Sequence, residues 1–200
     1  MRKAIALFAV VGTPAWLLAC AEAGPAGNDG LDPFAAVVSH APACNGVTAT
    51  IFINSEGFWV KPAGVTVVQL GSGYRIRGTP GDDVIMGSSQ DDVILSGGGN
   101  DIVCAGAGDD VIEDVAGDDA LWGDDGDDHI FAGAGNDRVE GGRGRDVIMG
   151  GPGIDELFGD RGADFLWGDT PYRPFQHRDA ALGGLGEDHC SADIRVDCES

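Results

Sequence analysis

Carboxylates recur in this chain at a fixed step. From Gly78 to Trp167 ten nonapeptides follow one another without a break, and the sixth residue of every one is an aspartate: Asp83, Asp92, Asp101, Asp110, Asp119, Asp128, Asp137, Asp146, Asp155 and Asp164. Two residues beyond each acid stands an aliphatic side chain, from Ile85, Ile94 and Val103 through to Ile148, Leu157 and Leu166. Rows of oxygen donors are the chemistry of a hard divalent cation. Carboxylates and main-chain carbonyls suit calcium better than zinc or copper, which favour nitrogen and sulfur. His40, His129, His177 and His189 are scattered, with no partner at metal-ligand spacing, so the sequence offers no imidazole site.

A strict nine-residue period requires a repeating architecture to position those acids. The first six residues of a unit, such as Gly123 to Asp128, are too rich in Gly and Asp for helix or strand and suit a turn. The last three, such as His129, Ile130 and Phe131, read as a short strand whose alternation sends Ile130 inward. The expected fold is all-β, a parallel β-roll. If two nonapeptides complete one coil, acids eighteen residues apart stack on the same edge at a strand spacing of about 4.8 Å. Two carboxylate columns result, one through Asp83, Asp101, Asp119, Asp137 and Asp155, the other through Asp92, Asp110, Asp128, Asp146 and Asp164. Unit charges about 5 Å apart repel by roughly 0.8 kcal/mol in water, and by several times more where water is partly excluded. Without cations the roll is expected to be loose or unfolded, so that metal binding and folding are one event.

The register resembles the hemolysin-type (RTX-like) calcium-binding repeat family over residues 78 to about 191. Gly fills the fourth position of nine of the ten units, with Gln90 the exception. The resemblance implies a calcium-binding β-roll that holds several Ca2+ ions on the ten acids. Beyond an insertion near residues 170–177, Asp179 and Asp188 regain the acid position and join the expected ligands. Later units depart at position five, where Asp or Asn gives way to Arg145, Ile154 and Ala163, and weaker sites are expected there. The ending also resembles tails common in the family, with Cys190 and Cys198 close enough to staple residues 192–200. Cys44 with Cys104 would then clamp the segment before the repeats to the third repeat. Four cysteines allow three pairings, and this is the expected one.

The chain carries 33 acidic and 12 basic residues, a formal net charge of −21, which argues against nucleic acid as a partner. About eight to ten calcium ions would carry roughly +16 to +20 and nearly cancel that deficit. At the start, Met1, Arg2 and Lys3 precede an apolar stretch, Ala4 to Leu18, then Ala19 and Cys20. That order marks a signal peptide, residues 1–19, too short for a stable membrane span. Leu17 to Cys20 also resemble a bacterial lipobox. This implies lipidation of Cys20 and an outer-membrane or cell-surface lipoprotein, the alternative being an ordinary signal cut after Ala21 or Ala23. The four cysteines that remain after Cys20 are an even count, which in an exported chain favours disulfides.

Residues 20–43 read as a flexible tether. Residues 44–77 show β-branched and aromatic alternation without the acids and read as a calcium-free β cap, which a solenoid needs at the end of its core. Val67 and Ile76 continue the nine-residue aliphatic spacing upstream of Ile85. The outward positions of one sheet are less polar than a free surface: Val93, Leu95, Val111, Phe131, Val147, Met149, Phe165 and Trp167. Such a stripe needs a cover or a protein partner. The 34 residues of the cap are too few for a catalytic domain, and no G-x-S-x-G, H-E-x-x-H or phosphate-loop motif is present, so the reading is non-enzymatic. The expected function is calcium ion binding with folding coupled to external calcium. The rival is an adhesin or a glycan- or ice-binding module with calcium as scaffold, and the mixed outward residues argue against a flat ice-like lattice.

Overall fold

The structure is a computed structural model and describes residues 43–44, 46–53, 59–60, 63–169, 179–192 and 194–198, all within the compact unit Ala41–Ser200. The expected signal peptide, the lipidation site Cys20, the tether up to residue 42 and the insertion near 170–177 lie outside the described residues, while Ala43, the tether's expected last residue, belongs to a strand. So do His40 and His177. Among the described residues there is no helix.

The short strands of the repeats alternate between two sheets, and the first two described strands pair antiparallel in a small third one. Ahead of the repeats lie β1 (Ala43–Cys44), β2 (Val47–Thr48), β3 (Ile51–Ile53), β4 (Trp59–Val60), β5 (Thr66–Leu70) and β6 (Gly73–Arg77). The repeats then supply β7 (Val84–Met86), β8 (Val93–Leu95), β9 (Ile102–Ala107), β10 (Val111–Glu113), β11 (Ala120–Asp125), β12 (His129–Phe131), β13 (Arg138–Arg143), β14 (Val147–Met149), β15 (Glu156–Arg161) and β16 (Phe165–Trp167). The last coil and the tail give β17 (Ala180–Leu185), β18 (His189–Ser191) and β19 (Ile194–Val196). Odd-numbered strands from β7 to β19, with β3 and β4, form a nine-stranded sheet. Even-numbered strands from β6 to β18, with β5, form an eight-stranded one.

Every pairing within the repeats is parallel and eighteen residues apart, as in Leu121 with Val139 and Ile112 with Ile130. This is a parallel β-roll of about six turns, two nonapeptides to a coil. Alternation along the three-residue strands of the repeats, β7, β8, β10, β12, β14 and β16, buries the middle member and leaves the flanking two half-buried or exposed. Ile76, Ile85, Ile94, Val103, Ile112, Leu121, Ile130, Val139, Ile148, Leu157 and Leu166 are all fully buried in one continuous core. At the far end the inward slots pass to Ala181 and Cys190, and Cys198 packs against the core beside them.

The upstream spacing has two outcomes. Ile76 joins the ladder, paired in parallel with Ile94. Val67 does not form a further coil: β5 folds back antiparallel on β6 and pairs Val67 with Ile76. The two-residue turn between Leu70 and Gly73 makes this a hairpin, which ends the parallel sheet in the plane of its edge. On the other sheet β3 adds in parallel to β7, with Ile51 beside Ile85, and β4 closes the edge antiparallel to β3. Disulfides join Cys44 to Cys104, with Cα atoms 5.7 Å apart, and Cys190 to Cys198, 5.8 Å apart.

The outward stripe keeps its half-buried character in the eight-stranded sheet, where Phe165 stacks on both Trp167 and His189. On the opposite sheet Phe158 lies beneath the Arg138 guanidinium, 4.3 Å from the ring centre, and Arg138 also pairs with Glu140 and Glu156.

Candidate metal centre: two columns of buried aspartates

The turn-to-strand junction of every unit places its sixth residue just before the strand, at the edge of the roll. All twelve acids expected as ligands are brought into two columns, and each is at most 3% exposed. One column runs Asp83, Asp101, Asp119, Asp137, Asp155 and Asp179. Within it Oδ1 of each acid after Asp83 accepts the N–H of the acid one coil earlier, at 2.8, 2.7, 2.9, 3.0 and 3.2 Å in that order. The other runs Asp92, Asp110, Asp128, Asp146, Asp164 and Asp188, with corresponding distances of 2.6, 2.8, 2.9, 2.9 and 3.0 Å.

The second oxygen of each carboxylate tells more. In Asp83 and Asp92 Oδ2 accepts an N–H four residues upstream, from Thr79 and Ser88, each at 2.7 Å. In Asp101, Asp110, Asp119, Asp128, Asp137, Asp146, Asp155, Asp164 and Asp188, Oδ2 is buried without a hydrogen-bond partner. Burying that many unpartnered carboxylate oxygens is costly unless a cation or a proton meets them. The glycine that opens most units provides room for this oxygen, since a Cβ on Gly123 would lie 2.3 Å from Asp128 Oδ2.

Burial is the main cause of an upward shift along the middle of both columns, from Asp101 to Asp164. It raises Asp110, Asp146 and Asp155 to about 7 and Asp128, Asp137 and Asp164 to about 6; neighbouring carboxylates add to the rise and the N–H donors offset part of it. Asp101 reaches about 7 and Asp119 about 8, again mainly through burial, with Asp114 contributing further. The donor set is all oxygen, anionic, inward-facing and repeated at every coil, which fits calcium. A calcium ion held there supplies positive charge that the columns otherwise lack. The chain's own contribution is to fix the carboxylates at coil spacing and, in nine of the twelve, from Asp101 to Asp164 and at Asp188, to tie one oxygen to the backbone while Oδ2 remains available.

Two features escape the sequence reading. The fifth residues build a second, outer ladder that runs the other way: Asn100, Asp109, Asp118, Asp127, Asn136, Arg145 and Ile154 each donate a backbone N–H to the side-chain oxygen of the fifth residue one coil earlier. Arg145 also lies 3.7 Å from the Asp127 carboxylate. The expectation of weaker sites near Arg145, Ile154 and Ala163 therefore rests on an exposed ladder outside the columns, whereas Asp146, Asp155 and Asp164 stack like their neighbours. The second feature is Asp114, a buried acid in the slot that opens a unit, bonded to Ser96 in the same slot one coil earlier. Its signal in the sequence is an acid where Gly78, Gly87 and Gly123 stand in other units.

Comparison with known families agrees with this geometry. The family model of the RTX calcium-binding nonapeptide repeat matches residues 77–112, 113–148 and 140–170. No curated protein matches the chain.

Proposed function

We propose, from the match of residues 77–170 to the RTX calcium-binding nonapeptide repeat, an exported protein, anchored at the cell surface through a lipidated Cys20, whose roll folds when it meets external calcium. Calcium binding by a β-roll follows from the repeats and the solenoid. The coupling of folding to calcium is supported by one observation above the others, the run of buried Oδ2 atoms without partners along both columns. An unfolded chain presents no such columns, so the free energy of binding is available to fold it. Export is supported by the order of charged, apolar and small residues over Met1 to Cys20, by typical exported members of this repeat family and by the two disulfides. Inside the cell, where calcium is scarce, the chain stays unfolded and exportable; outside, calcium at the millimolar level typical of extracellular modules locks it. The ligands proposed are the twelve stacked aspartates.

The test is far-ultraviolet circular dichroism, at pH 8, of the chain from residue 20 with Cys20→Ser, titrated with calcium and, separately, with magnesium. A cooperative gain of β-structure with calcium alone is expected. A spectrum unchanged by calcium, whether disordered or already folded, refutes the coupling.

A further inference from the structure

Most units open with glycine, but the first column's edge carries Ser96 and Asp114 in that slot on successive coils. Both are buried, Ser96 fully and Asp114 to within 8%. The Ser96 hydroxyl donates to Asp114 Oδ2, which fixes the carboxylate. Asp114 Oδ1 is left buried without a partner, as are Oδ2 of Asp101 and Oδ2 of Asp119. Oxygens of Asp101, Asp114 and Asp119 all lie within 4.8 Å of one another, and no other trio of such residues converges this closely among the described residues.

We propose that Asp101, Asp114 and Asp119 form a three-carboxylate calcium site that differs from every other step of the columns, binds more tightly than the rest and fills first. The proposal rests on the calcium reading above. A regular step brings two column acids together, whereas this one adds a third whose position is set by a serine from the coil before. Affinity of oxygen-ligand calcium sites rises with the number of charged ligands and with rigidity, and both are greater here. Three buried carboxylates also repel one another more than two, so the cation relieves more at this step than elsewhere. The first ion would therefore order the third to fifth units, beside β9, which the Cys44–Cys104 disulfide already ties to the segment ahead of the repeats.

The experiment is calorimetric titration of the exported chain, disulfides intact, with calcium chloride, comparing wild type with Asp114→Gly and Asp114→Asn. Glycine is the usual residue of this slot, so Asp114→Gly keeps the roll, and the loaded circular dichroism spectrum verifies that. Wild type is expected to bind one ion roughly tenfold or more tighter than the others, and both variants are expected to lose that step while the remaining ions bind as before. Ser96→Ala should weaken the same step by less. The proposal is overturned if wild type shows no tighter step, or if either Asp114 variant retains it. Calcium uptake by none of the chains is a separate result, which removes the calcium reading itself.

Discussion

Raising the pH of the calcium-free roll from about 5 to about 8 should unfold it. Eight column acids have folded pKa values between about 6 and about 8, against roughly 3.9 for an aspartate in an unfolded chain. A raised acid pKa means that the folded state holds protons the unfolded state has released. The stability this contributes is fully present below the unfolded pKa and is lost as pH climbs through the folded values. Each tenfold gain in a carboxylate's proton affinity on folding corresponds to about 1.4 kcal/mol. Discounted severalfold for solvent screening and for mutual coupling, the eight together still lose on the order of 10 kcal/mol. That matches the whole stability of an ordinary domain, about 5–15 kcal/mol. In EDTA, the β-sheet circular dichroism signal should persist near pH 5 and disappear by pH 8, and calcium added at pH 8 should restore it. Because protons and calcium compete for the same oxygens, the calcium midpoint should rise as pH falls through this window. A metal-free chain equally folded at both pH values, or folded only at the higher one, would show that the columns do not carry these protons.

Two further perturbations probe the scaffold around the columns. Gly135→Ala would place a Cβ 1.5 Å from the Gly117 carbonyl oxygen at a φ of +156°. It should cost at least about 2 kcal/mol in urea unfolding of the calcium-loaded chain. Gly81→Ala, whose nearest neighbour would be Thr79 Oγ1 at 3.9 Å, should stay within about 0.5 kcal/mol; equal effects would mean that coil stacking does not demand glycine. Replacing both Cys44 and Cys104 by serine opens a link across 60 residues and should cost about 4 kcal/mol, read as a lower urea midpoint in saturating calcium. An unchanged midpoint would mean that the clamp constrains nothing in the unfolded chain.

The period carries the inward aliphatics, and once two units make a coil, as the eighteen-residue pairing shows, it carries the core and the columns as well. Ile130 and Asp128 can be placed from their neighbours' spacing without any knowledge of the rest. What the period does not convey lies in side-chain bonds between coils. Nothing in the spacing says that Asp128 Oδ1 takes the Asp110 N–H while Oδ2 goes without. Nor does it say that fifth residues such as Asp109 and Asp127 bond in the reverse sense outside the columns. Spacing misplaces Val67 because the Leu70–Gly73 turn reverses the chain, and turn geometry overrides a nine-residue rhythm. Asp114 is visible as an exception to the rule, but only the stacking with Ser96 gives the exception a meaning.

The interval between stacked acids is eighteen residues through most of the roll but twenty-four from Asp155 to Asp179 and from Asp164 to Asp188, yet the same N–H to carboxylate bonds bridge it. Strand pairing is likewise undisturbed, with Leu157 beside Ala181 and Leu166 beside Cys190. The roll thus measures itself in coils and is indifferent to how much chain is spent between them. The junction between Trp167 and Asp179 takes in six residues more than a regular coil, and every later coil still keeps its place.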